Sequence, residues 1–325
     1  MAGVALDPGV ELLMRSAEPL IRWRALVDLA GVPASDPRVR AAREAIPSGP
    51  IVRSLLEPTP ERNWYSKWRG AHWRLTSLMD LDAPADLPGA AEQVEPAIRG
   101  LTGGGRVTPV ARKVEVIDGR ARFCASQDGN ALAYAVHFGF ADSARAAVLA
   151  GMLARWQWPA GGWNCDRRPA TTHPSVNESF PALRGLAAYA RLTGNRRSRD
   201  AADRAAEFFL RHRVAWSERT GEPMHRVVVR LQYPPYWHYD VLAGLRALLE
   251  SGHLDDPRTA DALDLLESKR RADGAWSADS RHDRPPGTAN SLVEVADWSP
   301  DGKDAPHEAL TLSVLAVLKA AGRLR

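Results

Sequence analysis

The sequence is short of cysteine, with two thiols, Cys124 and Cys165, in 325 residues. That excludes a small secreted scaffold knitted by several disulfides. The two could form one bridge, although a cytosolic chain keeps such thiols reduced. Charge of one sign is also scarce. The formal net charge is +4, and Arg is interleaved with Asp and Glu rather than set in blocks. With no basic run alternating with stacking aromatics, nucleic acid is excluded as the main partner. No apolar run reaches the roughly 20 residues of a transmembrane helix. Met1 to Gly9 carries Asp7 and Pro8 and lacks the basic flank of a signal segment. The expected location is the cytoplasm. Strand signals are nearly missing, since only Val107 to Ile117 and Arg226 to Tyr233 read as extended. No Gly/Ser-rich linker divides the chain, which predicts one domain over 1–325.

What the chain has instead is tryptophan, proline and a recurring unit. Eleven Trp and 24 Pro are present. Two turns repeat, Ala160-Gly161-Gly162-Trp163 and Ala272-Asp273-Gly274-Ala275-Trp276, with degenerate copies at Arg62-Asn63-Trp64 and Gly103-Gly104-Gly105. Separations of roughly 40 to 60 residues suit a repeated helical hairpin, and Trp163 and Trp276 are expected to staple one repeat to the next. Helical periodicity runs over Glu11 to Ala30, Lys67 to Leu81, Asp128 to Phe140, Val176 to Leu192, Tyr236 to Glu250 and Pro306 to Ala321. These segments are apolar on most sides. Between them Glu92 to Leu101, Ser143 to Trp156, Arg199 to Arg213 and Pro257 to Arg271 carry Arg and Asp on one face, as solvent-facing helices do. The alternation predicts an all-α fold, an (α/α) toroid of about five to six hairpins with short extended connections.

If the inner helices run parallel, their starts meet at one mouth. Those starts are polar: Lys67 and His72; Cys124, Ser126, Asp128 and Asn130; His173, Ser175, Asn177 and Glu178; Tyr233, His238 and Asp240; Asp304, His307 and Glu308. Helix N-termini favour negative charge. Capping alone also demands Ser, Asp and Asn there, so both explanations stand for Ser126, Asp128, Ser175 and Asn177. The segment Tyr233-Pro234-Pro235-Tyr236-Trp237-His238-Tyr239-Asp240 gathers four aromatics, a His and an Asp at one helix start. Asp240 is either an acid with its pKa raised by an apolar wall or a structural cap. His173 and Glu178 form a similar group. Cys124, Cys165, His173, His238 and Asp240 offer zinc ligands, although no Cys-x-x-Cys or His-Glu-x-x-His spacing supports a site.

The turns at 157–163 and 272–276 resemble the Gln/Asp-Gly-Gly-Trp turns of the prenyltransferase and squalene-cyclase superfamily. The stretches Tyr65 to Leu81, Cys124 to Gly139 and Tyr233 to Leu249, with Arg22 to Leu26, resemble its uncharacterised bacterial squalene-cyclase-like branch. The resemblance implies an (α/α) barrel around an apolar cavity. The Asp-x-Asp-Asp acid of proton-initiated cyclases is missing, as is the Asp-x-Cys pair of the zinc prenyltransferases. The expected function is acid/base-assisted cyclisation or rearrangement of an apolar small molecule, without a cofactor. Asp240, Glu178, His238 and His173 are the catalytic candidates. Tyr65, His72, Trp73, Asn130, Tyr233, Trp237 and Tyr239 are the substrate-binding ones. The alternatives are a zinc-dependent transferase or lyase using Cys124, His173 and His238, and a barrel that only binds a lipid or metabolite.

Overall fold

The computed structural model describes residues 6–57, 64–102, 114–280, 286, 294–298, 302 and 305–324. Among them the chain is mostly helical, with thirteen α-helices and one two-stranded sheet. In order these are α1 (Pro8–Leu13), α2 (Pro19–Arg24, continued by a π-helical turn Ala25–Leu29), α3 (Pro37–Ala45), α4 (Pro50–Leu56), α5 (Ala71–Asp80) and α6 (Ala91–Thr102). Strands β1 (Glu115–Ile117) and β2 (Arg120–Arg122) pair antiparallel. Then follow α7 (Ala125–His137), α8 (Ala144–Trp156), α9 (Val176–Thr193), α10 (Arg196–Arg211), α11 (Val241–Ser251), α12 (Ala260–Ser268) and α13 (Glu308–Ala320).

The boundaries follow caps and prolines. A single helix over Glu11 to Ala30 is not formed, because Glu18 accepts from Leu20 N–H and Pro19 takes the first helical position of a new helix. Pro is pre-set for that position and cannot continue the helix before it. Helix α11 starts at Val241 rather than Tyr236, because Asp240 caps it and Tyr236 sits at φ +51°. Helix α9 ends as expected, with Gly194 at φ +69°. Helices α3 and α4 have no counterpart among the expected segments. The extended character of Val107 to Ile117 appears only as β1, since 103–113 lie outside the described residues. Arg226 to Tyr233 forms turns, with Val228 N–H bonded to the His225 carbonyl and Arg230 N–H to the Val227 carbonyl.

Two classes of helix alternate. Helix α5 is buried at every position from His72 to Asp80, whereas α10 buries one face and exposes Arg196, Arg197 and Arg199. Helix α5 packs on α7, α7 on α9, α9 on α11 and α11 on α13, while α13 meets α1 and α2. Helix α6 lies against α5 and α7, α8 against α7 and α9, and α10 against α9 and α11. One hydrophobic cluster runs from Val10 to Leu318. No helix among the described residues is long and apolar enough to cross a membrane.

The two Gly–Trp turns are built alike. Each indole, fully buried, donates to a carbonyl ten residues earlier in the preceding outer helix: Trp163 to Leu153 (3.0 Å) and Trp276 to Leu266 (2.8 Å). Each Trp backbone N–H then donates to a hydroxyl of the next inner helix, Ser179 Oγ (3.1 Å) or Thr311 Oγ1 (3.0 Å). Gly161 and Gly274 have φ of +96° and +82°. A Cβ on Gly161 would lie 2.2 Å from the Arg204 carbonyl of α10, and one on Gly274 would lie 2.6 Å from Gly9 N in α1. Helix α1 therefore stands to the second turn as α10 stands to the first. Among the described residues the first helix, α1, packs against the last, α13.

Candidate functional site

The starts of the inner helices are joined by side-chain bonds. Glu178, at the start of α9, accepts from Ser126 N–H at the start of α7 (2.8 Å) and from the Cys165 thiol (3.3 Å). Asn177 Oδ1 accepts from Tyr239 N–H (2.8 Å), and Asn130 Nδ2 donates to the Tyr236 carbonyl (2.9 Å). These bonds tie α7, α9 and the segment entering α11 into one polar belt.

Inside the belt lies an aromatic cluster. Trp68 and Tyr236 stack at 4.3 Å with planes 1° apart, and Trp73 meets both edge-on at 4.9 and 5.4 Å. Offset and edge contacts of this kind suit the ring quadrupoles. Trp73 Nε1 donates to the Tyr65 carbonyl (3.1 Å), and Tyr65 rests on Trp73 and His72. Burial pushes the His72 pKa down to about 3, so the ring is neutral, and its Nδ1 lies 3.4 Å from Tyr134 Oη. Burial raises Tyr65 to about 12, against the opposing bond from Gln127. His238 stacks on Trp237 and meets Trp68 edge-on, while the Lys67 ammonium lies 5.4 Å from the Trp68 ring centre and 4.9 Å from that of Trp237.

Tyr236 is held at every end. Its backbone is left-handed, a conformation that costs about 1–2 kcal/mol for a residue with a side chain, its carbonyl takes Asn130, its ring takes Trp68, and its hydroxyl donates to Glu294 Oε2. Glu294 is buried and also accepts from Trp298 Nε1 (3.5 Å). Trp298 continues to Tyr233 (5.3 Å), and Tyr233 to His307 (5.0 Å), the N-cap of α13. The buried atoms Trp68 Nε1, Asn130 Oδ1 and Tyr233 Oη have no hydrogen-bond partner among the described residues. Trp298 also lines a cavity of about 520 Å³ that reaches between α2, α4 and the start of α13, with Ile21, Ile51, Ala309, Glu18 and Glu308 on its walls. Burial raises the Glu18 pKa, although the Ile51, Leu20 and Val52 amides oppose it. Neither Glu294 nor Trp298 stood out in the sequence, because both follow a stretch without helical period.

The sequence-derived candidates divide. Tyr65, His72, Trp73, Asn130, Tyr233, Trp237 and His238 reach this cluster or its rim. Tyr239 turns the other way, stacking on Phe209 at 5.4 Å and donating to the Val214 carbonyl. His173 is exposed, and its carbonyl accepts from Asn164 Nδ2 (2.8 Å). Asp240 is buried with both oxygens committed to backbone N–H groups, Ala243 on Oδ1 and Gln232 on Oδ2, each at 2.8 Å. Cys124 is exposed. Among the described residues no three His, Cys, Asp or Glu side chains are arranged to hold a metal ion, Cys124, His173 and His238 included.

Burial raises the Asp240 pKa to about 7, against the opposing Ala243, Gln232 and Leu242 amides. The folded value lies above the ordinary 3.8, so the stability it contributes is complete below about pH 4 and is lost as pH rises through about 7. Asp240→Asn is expected to lower the urea midpoint, since an amide accepts only one of the two N–H groups. It should also flatten the change of midpoint between about pH 4 and 7. Parallel pH curves for the two proteins would assign that titration to another group.

The opposite ends of the same helices carry a charged layer that the sequence analysis missed. Arg184 of α9 binds Asp80 of α5 (2.7 Å) and, through two nitrogens, Glu250 of α11 (2.6 and 3.0 Å). Arg246 of α11 reaches the Asp80 carbonyl (2.7 Å), Ser313 of α13 (3.0 Å) and Asp82 (3.5 Å). Asp82 also binds Arg24 of α2 (3.2 Å). A cavity of about 280 Å³ opens here among His137, Arg184, Arg191, Asp82 and Glu250. A signal was present: Arg recurs within Trp23-Arg24-Ala25-Leu26, Leu183-Arg184-Gly185-Leu186 and Leu245-Arg246-Ala247-Leu248.

Comparison with protein-family models, with curated proteins and with solved structures finds no match to the chain. The geometry defines a helical protein with an aromatic, acid-bearing end and a charged end.

Proposed function

We propose that the chain is a squalene-cyclase-like αα-toroid and that its aromatic end rearranges an apolar small molecule without changing its composition. The exchange of partners at the two Gly–Trp turns supports ring closure, since α1 completes the hairpin of α13. The observation that carries the function is Tyr236, locked in a left-handed backbone between Trp68 and the buried Glu294.

In this reading the substrate enters from the cavity beside Trp298, which is within the roughly 300–1,000 Å³ range of ligand sites. Trp68, Trp73, Tyr65 and Trp237 present π faces to a developing cation, each worth about 0.5–2 kcal/mol once water is excluded. Glu294 acts as acid and then as base. Its carboxyl proton adds to one double bond to form the cation, and the Tyr236 hydroxyl and the Trp298 indole hold the resulting carboxylate. That carboxylate takes a proton back as a double bond re-forms. Asp240 and Glu178 set the starts of α11, α7 and α9 and so position the wall. The reaction calls on no cofactor.

The test uses squalene and farnesol in detergent micelles as probes, with product mass and chromatographic retention as readout. The expected product has unchanged mass and altered retention. Glu294→Gln should reduce its formation by about 10²–10⁴-fold, the contribution of a general acid or base, with the circular dichroism spectrum unchanged. Probes that bind, quench tryptophan fluorescence and return unaltered would make the chain a binder instead.

A further inference from the structure

We propose that Cys124 and Cys165 form a reversible dithiol–disulfide site that reacts with low-molecular-weight disulfides. Backbone pairing brings the two cysteines to neighbouring positions on adjacent chains. Phe123 N–H donates to the Asn164 carbonyl (3.0 Å), and Arg122 and Asn164 form a parallel bridge, so Cys165 falls opposite Phe123 and Cys124 is the next residue along. Adjacent extended chains stand about 4.8 Å apart and successive residues rise by about 3.3 Å, so a pair offset by one residue stays inside the roughly 4.4–6.8 Å window of Cα separations that a disulfide spans. The side chains agree with the backbone. The Cys165 thiol is hydrogen-bonded with Cys124 and donates to Glu178 Oε1 at 3.3 Å. The other oxygen of Glu178 holds Ser126 N–H, two residues after Cys124. One carboxylate thus spans the chain entering α7 and the chain leading to α9.

The two thiols differ in access, which orders the chemistry. Cys124 is exposed and Cys165 half-buried. The bond to Cys124, then burial and the neighbouring Glu178 charge, raise the Cys165 pKa and keep it a thiol until a base takes its proton. The Cys124 thiolate attacks one sulfur of a small disulfide, forming a mixed disulfide and expelling the first small thiolate, which is protonated by water. Glu178 then receives the Cys165 proton while the Cys165 sulfur attacks the Cys124 sulfur. The second small thiolate leaves and takes up a proton. Two protein thiols are oxidised to one disulfide, and one small disulfide is reduced to two thiols. The site draws only on the approaches to α7 and α9 and does not depend on the aromatic end being catalytic.

The experiment treats the full-length chain with oxidised glutathione and follows the intact mass under denaturing conditions. The expected product lacks two hydrogen atoms, carries no glutathione and is reversed by dithiothreitol. Cys165→Ser should stop at one glutathione on Cys124, and Cys124→Ser should react at least about tenfold more slowly, as a half-buried thiol does. Circular dichroism establishes that both variants are folded. Wild-type chains that accumulate glutathione on both cysteines, or that link to one another, would overturn the proposal. So would a folded chain that is inert where the unfolded chain reacts.

Discussion

Arg184→Met is expected to cost the fold about 3–5 kcal/mol, the usual consequence of removing one partner of a buried ion pair. The side chains of Arg184 and Asp80 are 4% and 1% exposed, and Arg184 also holds the half-buried Glu250. Its own pKa moves upward: burial opposes the charge, but Glu250 and Asp80 outweigh it. Losing the guanidinium strands Asp80 in an apolar interior. Burial already raises the Asp80 pKa, with Arg184 and Arg246 pulling it down. Removing one of those cations raises it further. A carboxyl whose folded pKa exceeds its unfolded value keeps its full stability in acid and loses it as pH rises through the folded pKa. The destabilisation of Arg184→Met should therefore shrink in acid and grow toward neutrality. Asp80→Asn added to Arg184→Met should recover part of the loss, because the stranded charge goes with it. Urea unfolding at acid and neutral pH measures all three. A neutral-pH loss below about 1 kcal/mol, the scale of a surface pair, would show that water already reaches the layer.

The second large effect is expected where α7 and α9 cross. Gly129→Ala and Gly185→Ala should each destabilise by about 1–3 kcal/mol or more, the cost of overpacking. Helix propensity alone predicts the opposite sign, since Ala is favoured over Gly by about 1 kcal/mol inside a helix. Contact decides. A Cβ on Gly129 would lie 2.4 Å from Ala182 N and from the Pro181 carbonyl carbon, and one on Gly185 would lie 2.5 Å from the Gly129 carbonyl oxygen. These obstacles are backbone, so no rotamer change relieves them and the helices must part. The two glycines face each other, so the double variant should cost less than the sum of the singles. Parting the helices also loosens the Ser126–Glu178 and Asn130–Tyr236 bonds that frame the aromatic end. Thermal and urea unfolding of each variant is the check. Midpoints at or above wild type would mean that propensity prevails and that the crossing is looser than its distances imply.

Much of the helical order was legible because it is written locally. Residues of apolar period with a cap before and a glycine after, as over Val176 to Thr193, need no tertiary partner to be recognised. The Gly–Trp turns were legible too, since a buried indole in a turn has to pack on something. Where one helix was expected over Glu11 to Ala30, a carboxylate cap and a proline in mid-pattern gave two. At Tyr236 the expected helix start became a left-handed residue, because its ring, hydroxyl and carbonyl are each claimed by a distant partner.

The candidate site shows the same division. Sequence alone determined that the chain is helical, that buried and solvent-facing helices alternate, and that aromatic and polar residues gather where the buried helices begin. Those properties depend on spacings of three to seven residues along one chain. Only the tertiary structure decided which of those residues meet. It joined Tyr236 to Glu294, Cys165 and Ser126 to Glu178, and Arg184 to Asp80 and Glu250. It also turned Tyr239 outward to Phe209 and gave both oxygens of Asp240 to backbone amides. Each of these pairings joins residues that no local period relates. They are fixed by how helices far apart in sequence are packed, and that geometry belongs to the whole chain.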